Sequence, residues 1–121
     1  MFCVKDGVIR ITRGDTGTIT IHLRKGSEFD PAHDRVVFEV MREETRERLI
    51  HEVLTPTADG TVTLDLSHET TRDFAPGNYF WDVRIALGAQ LDAQGRITGA
   101  SEVLTPFEAR RLEVRRAVGE L

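Results

Sequence analysis

The most constraining feature of the sequence is an alternating run that begins just after Pro76-Gly77. Every second residue in it is large and apolar, namely Tyr79, Trp81, Val83, Ile85 and Leu87. Asp82 and Arg84 lie between them and must face the other way. A period of two indicates a β-strand with one buried face. Because the only Trp and the only Tyr of the chain are on that face, this run predicts the central strand of the core.

Shorter runs with the same alternation cover much of the remaining chain. They occupy residues 8–12, 18–23, 35–41, 49–55, 61–66 and 107–118, where Leu112, Val114 and Val118 fall in phase. Gly, Pro and Asp-Gly separate them, and Pro106 is expected to break or bulge the last strand. Ser67, with Thr70 three residues later, predicts one capped helical turn near residues 68–74. The spacing predicts an all-β fold of about seven strands in a single domain, 1–121.

A second spacing refines this fold class. Asp73, Gly77, Tyr79 and Trp81 are placed as in the tyrosine corner of immunoglobulin-like domains. In that corner the Tyr hydroxyl bonds to the backbone, two residues before a core position. Trp81 occupies the core position in place of Cys, which suits a sandwich without a disulfide. A Tyr that only packs in the core is the alternative. We therefore predict an immunoglobulin-like antiparallel β-sandwich.

Composition excludes several functional classes. The net charge is −4, and glutamates interrupt the basic stretch at residues 110–116, so we expect no nucleic-acid partner. Cys3 is the only cysteine, which excludes an intrachain disulfide. The opening residues have no signal-peptide pattern, and no apolar run reaches the ~20 residues of a membrane helix. We expect no membrane partner.

The sequence contains no arrangement of residues typical of catalysis. The four His are scattered, and the usual nucleophile, phosphate-binding and dinucleotide-binding motifs are absent. Asp30, His33 and Asp34 are the nearest approach to a metal-binding trio, but their mixed phase argues against it. Arg13-Gly14-Asp15 matches an integrin-binding tripeptide, but a turn explains it. We predict no catalytic residues, no metal, no cofactor and no enzymatic activity.

One surface feature points to a partner. If Val36, Phe38 and Val40 face inward, Val37 and Met41 face outward on the same strand. By the same alternation Phe80 faces outward on the central strand. In an immunoglobulin-like sandwich these two strands are neighbours, so Val37, Met41 and Phe80 would form an apolar patch. Isolated exposed apolar residues are common, and chance is the alternative explanation.

The order of turn and core motifs resembles a known group of proteins. The chain opens with a strand, Thr12-Arg13-Gly14-Asp15-Thr16 and a second strand, and later has Pro76-Gly77-Asn78-Tyr79-Phe80-Trp81-Asp82-Val83. This resembles small β-sandwich proteins of bacteriophage and prophage tails and baseplates, over residues 5–87. Residues 88–99 and the Arg-rich C-terminal segment depart from the resemblance.

The resemblance implies a structural protein that assembles with itself or with other phage structural proteins. Its location would be the bacterial cytoplasm during assembly and then the virion. An immunoglobulin-like ligand- or carbohydrate-binding module of a bacterial protein is the alternative. Such a module would need exposed aromatic residues, whereas Tyr79 and Trp81 are predicted to face inward.

Overall fold

The fold consists almost entirely of β-strands. The computed structural model describes residues 2–5 and 7–117, with side chains for 7–117. These residues form β1 (Phe2–Lys5), β2 (Val8–Thr12), β3 (Gly17–His22), β4 (Arg35–Arg42), β5 (Arg48–Leu54), β6 (Thr61–Leu66), α1 (His68–Arg72), β7 (Gly77–Leu87), β8 (Gln90–Leu91), β9 (Ile97–Gly99), β10 (Glu102–Leu104) and β11 (Arg110–Arg115). The all-β prediction is confirmed, together with the helical turn.

Alternation of apolar residues was sufficient to predict the longer strands but not the shortest ones. In the described residues the seven strands with five or more residues match the seven predicted runs. β1, β8, β9 and β10 have only two to four residues, too few for a period to be recognised, and lie outside the seven predicted runs. The last strand begins at Arg110 and not at residue 107, and Val118 lies outside the described residues.

The strands form one large and one small sheet. The large sheet has the order β1-β2-β11-β7-β4-β5, with β10 pairing farther along β7. β3 and β6 form the small sheet, and β8 and β9 form a separate hairpin. One pair departs from the predicted antiparallel arrangement, since β2 runs parallel to β11. These strands are joined by most of the chain, so no hairpin imposes an antiparallel direction.

One hydrophobic cluster contains residues from both sheets. On β7, Tyr79, Trp81, Val83 and Ile85 are at most 4% exposed. The Trp81 ring stacks on Phe38 of β4 with a centroid distance of 5.7 Å. The small sheet contributes Ile19, Val62, Leu64 and Leu66. A core shared by two sheets is consistent with the predicted β-sandwich.

A polar corner connects the small sheet to β7 through α1. The Ser67 hydroxyl accepts a hydrogen bond from the Thr70 backbone N–H at 3.2 Å, which is the predicted N-cap. Asp73 is the C-cap of this helix and is exposed, so it is not part of the core. The capped helix α1 therefore separates β6 from β7 and sets the point at which the chain enters the central strand.

Tyr79 attaches the same corner to the core. Its hydroxyl donates a hydrogen bond to the Ala75 backbone oxygen at 2.5 Å, and its ring stacks on Phe74 with a centroid distance of 5.4 Å. A Tyr hydroxyl bonded to backbone a few residues upstream is the contact that defines a tyrosine corner. Gly77 lies between them at the start of β7, with φ +148°, a conformation that side chains with a Cβ rarely adopt.

Candidate functional site

The candidate site is the side of β4 and β7 that faces away from the core, which we call the outer face. Its residues are Val37, Glu39 and Met41 of β4 and Phe80, Asp82, Arg84 and Ala86 of β7. The two strands are adjacent and antiparallel, with Met41 opposite Phe80 and Val37 opposite Arg84. Phe80 is 38% exposed, while Met41 and Val37 are half-buried. The structure thus brings Met41 and Phe80 together and places Val37 two cross-strand rows away.

Two carboxylates lie opposite one another in the middle of the outer face. Glu39 is the register partner of Asp82, and like charges at opposed positions repel each other. Glu39 is compensated by His51 Nδ1, 2.7 Å from its carboxylate, and by Arg48 Nε at 3.8 Å. Within the described residues the Asp82 carboxylate has no hydrogen bond or ion pair. Partial burial and Glu39 raise the pKa of Asp82, and Arg84 opposes them. A further cation near Asp82 would stabilise its ionised form.

A depression opens beside Phe80 on this face. Its volume is about 310 Å³, and it is lined by Glu39, Met41, Arg46, Phe80, Trp81, Asp82 and Ala109. Arg46 belongs to the turn between β4 and β5, where its φ is +60°. The volume is at the lower end of the ~300–1,000 Å³ found for small-molecule sites. Apolar surface beside carboxylates suits either a partner's side chain or a small cationic group.

A bulge in the adjacent strand borders the depression. β10 leaves β7 after Leu104, and β11 rejoins β7 at Arg110. In this interval residues 105–109 stand opposite only residues 82–84. The expectation that Pro106 breaks or bulges the strand agrees with this interruption between β10 and β11, since a residue without an N–H cannot complete the ladder. Because of this bulge, the middle of β7 is not flanked by a regular strand on that side.

Sequence reasoning did not find all of the residues that shape this face. It placed Asp82 and Arg84 outward but assigned them to no site, and it did not identify Val103. That residue pairs with Ala86 through β10 and is 57% exposed. The alternation of β7 was a sufficient signal for Asp82 and Arg84. Val103 lies in a three-residue strand and could be placed only by the pairing of β10 with β7.

The side chains of Tyr79 and Trp81 are almost completely buried. They are 2% and 4% exposed, and the Trp81 indole N–H donates to the Gly7 backbone oxygen at 3.0 Å. Of the four residues predicted for the corner and core, Tyr79 and Trp81 are in the core, while Gly77 and Asp73 are exposed at the corner.

The Arg13-Gly14-Asp15 triplet is held against α1. The Arg13 side chain donates to the Arg72 backbone oxygen at 2.6 Å, and the Thr71 hydroxyl donates to the Asp15 backbone oxygen at 2.7 Å. The triplet thus connects β2 and β3 as a turn that packs on the helix, which agrees with its structural interpretation.

Asp34, from the trio considered for metal binding, has a structural role. It is 6% exposed, and its carboxylate accepts hydrogen bonds from the Asp30 N–H at 2.8 Å and the Gly88 N–H at 3.1 Å. His33 Nδ1 lies 2.7 Å from Asp30, a hydrogen bond that lowers the pKa of Asp30. Among side chains 7–117, no group of three or more His, Cys, Asp or Glu is arranged to hold a metal ion.

Searches against protein-family models and against curated protein sequences found no match to this chain. The functional inference for this chain therefore rests on the outer face. Within the described part of the chain, no helix has the length and apolar character needed to cross a membrane.

Proposed function

We propose that this protein is a non-enzymatic structural module that acts through protein–protein association on the outer face of β4 and β7. The proposal includes the predicted immunoglobulin-like sandwich as its scaffold. It also includes the setting implied by the sequence resemblance, a bacteriophage or prophage tail or baseplate. In that setting the protein would assemble with itself or with other phage structural proteins.

The observation that carries the proposal is the exposure of Phe80. A phenylalanine that is 38% exposed in the first half of β7, beside the half-buried Met41, leaves apolar surface in water. Aromatic residues and Met are enriched at the centres of protein interfaces. Val37 and Val53 are register partners farther along the same face and extend its apolar area. A protein partner would remove this surface from water.

The first experiment measures solution mass by light scattering after gel filtration, over a range of protein concentrations. Wild-type protein should form a concentration-dependent oligomer, and Phe80→Asp should be monomeric because it places a charge in the apolar contact. Thr20→Asp is the matched control, because Thr20 is an exposed residue on β3 of the small sheet. The control should retain the wild-type mass.

Two results would count against this proposal. A wild-type monomer at every concentration would remove self-association, and an oligomer that persists in Phe80→Asp would place the interface elsewhere. The phage setting has its own test, immunogold labelling of particles induced from the bacterium that carries the gene. Label at the tail or baseplate is the expected result, and unlabelled particles would exclude that setting.

The second candidate function is an immunoglobulin-like ligand- or carbohydrate-binding module, favoured by the depression beside Phe80. In that case a small ligand from a glycan array should bind wild-type protein, and Phe80→Ala should abolish binding while the protein stays monomeric. The buried positions of Tyr79 and Trp81 count against this candidate, because carbohydrate sites use exposed aromatic rings.

A further inference from the structure

We infer that the occupant of the outer face is a second copy of this chain, related by a two-fold axis that crosses β7 at Val83. The inference rests on the proposed function and adds the identity and register of the partner. In this arrangement Asp82 of each copy faces Arg84 of the other. The two large sheets then pack face to face, with their β7 strands antiparallel.

The outward residues of β7 form a self-complementary series. Along the strand they read Phe80, Asp82, Arg84 and Ala86, which is apolar, acidic, basic and apolar. A two-fold axis perpendicular to the strand at Val83 reverses this order in the second copy. Asp82 then lies over Arg84 and Phe80 lies over Ala86, each contact occurring twice, as an isologous interface requires.

The two charged side chains are available for this contact. Within the described residues neither Asp82 nor Arg84 makes a side-chain hydrogen bond or ion pair at contact distance. Glu39, the other carboxylate of the face, is already bound by His51 at 2.7 Å. Arg84 of the same chain acts on Asp82 only through its charge, and a guanidinium from a second copy would add a direct ion pair.

The apolar ends of the series also match. Ala86 pairs with Val103 of β10, whose side chain is on the same face and is 57% exposed. Ala86 is itself only 5% exposed, so the proposed axis brings Phe80 of one copy onto Val103 beside Ala86 of the other. Phe80 and Val103 are two of the three large hydrophobic residues that are exposed in the described chain, and one contact would cover both.

Three other two-fold arrangements of the same face oppose like charges. An axis parallel to the strands, between β4 and β7, places Asp82 over Glu39 of the second copy. An axis across the strands at residue 82 or at residue 84 opposes identical charges. Like-charge contacts of this kind exclude wrong registers in protein interfaces. Charge complementarity therefore selects the axis at Val83.

Charge exchange tests the register directly. Asp82→Arg and Arg84→Asp should each raise the dimer Kd by roughly a hundredfold, because like charges then face one another twice. An equimolar mixture of the two variants should form a heterodimer of near wild-type affinity, since both contacts become complementary. The double variant Asp82→Arg/Arg84→Asp should again form a homodimer. Asp65→Arg, on the exposed side of β6, is the control and should dimerise normally.

The measurement is light scattering of each protein alone and of the mixture, at protein concentrations up to about 1 mM. At that concentration a dimer with an association free energy of only ~4 kcal/mol becomes detectable. Circular dichroism checks that each variant is folded, and the double variant shows that both substitutions are compatible with the fold. A mixture and a double variant that both stay monomeric, while wild-type protein dimerises through Phe80, would overturn the register and leave the proposed function standing. A wild-type monomer would overturn the two-fold dimer and the self-association on which it rests, and it would leave association with other proteins as the remaining form of the proposed function.

Discussion

The outer face of the large sheet differs from the exposed side of the small sheet, although strand alternation produces both. The small sheet exposes Thr18, Thr20, His22, Thr61, Thr63 and Asp65, which we call the threonine face. There the Thr18 hydroxyl donates to Asp65 at 2.7 Å, and His22 Nδ1 lies 3.0 Å from the Thr61 hydroxyl. The outer face instead combines an exposed Phe80 with Asp82, which has no hydrogen bond or ion pair within the described residues.

This difference indicates where a partner is needed. On the threonine face the polar groups have cross-strand partners or are solvated, so the surface is complete in an isolated chain. On the outer face Phe80 is exposed and, within the described residues, Asp82 has no hydrogen bond or ion pair, although Glu39 is bound by His51. A surface with both deficiencies is the one that gains most from association. Three substitutions test this contrast, beginning with the core that lies beneath the outer face.

The largest effect is expected for Trp81→Ala. Trp81 is 4% exposed and packs on Phe38 and Phe107, so its loss should lower the free energy of unfolding by about 3–5 kcal/mol. Urea denaturation at a concentration where the protein is monomeric measures this change. Phe80→Ala, the adjacent outward residue, should change the same quantity by less than about 1 kcal/mol. Equal losses would show that Phe80 belongs to the fold and not to an interface.

An intermediate effect is expected for Tyr79→Phe. The substitution removes the hydroxyl that donates to Ala75 but keeps the ring that stacks on Phe74. The free energy of unfolding should fall by about 1 kcal/mol, the usual contribution of one hydrogen bond. Solution mass should not change, because the side chain faces the core. A change of mass without a change of stability would contradict a structural role for this corner.

The smallest effect is expected for Asp82→Asn in the monomer. The pKa of Asp82 is raised in the folded protein, so its ionised form disfavours folding. At neutral pH the variant should therefore be slightly more stable than wild type, by less than about 1 kcal/mol. The gain should shrink as the pH falls through the raised pKa, and it should be gone below the ordinary value of 3.8, where both states bind the proton.

The matched control for this substitution is Asp65→Asn on the threonine face. It weakens the hydrogen bond from Thr18 and relieves no like-charged register partner, so it should cost up to about 0.5 kcal/mol at neutral pH. Chemical denaturation from pH 3 to pH 7 compares the two variants. The contrast between the faces would fail if Asp82→Asn were the destabilising one.

The order of amino acids along each strand is sufficient to predict which side chains face the core. Alternation along β7 is local, because successive residues of any strand point to opposite sides, and it correctly assigned Tyr79, Trp81, Val83 and Ile85 inward and Phe80 outward. Local chemistry also determined the Ser67 cap and the bulge at Pro106, since each depends on a few neighbouring atoms.

Which of these residues become neighbours across strands follows from the tertiary fold. The parallel pairing of β2 with β11, the position of Asp82 opposite Glu39 and that of Val103 beside Ala86 all depend on strand order and register. Register comes from packing across the whole sheet, and the alternation of one strand carries no information about its neighbour. The sequence therefore identified Phe80 as an outward residue, and the fold placed it on a face with the charges that define its proposed partner.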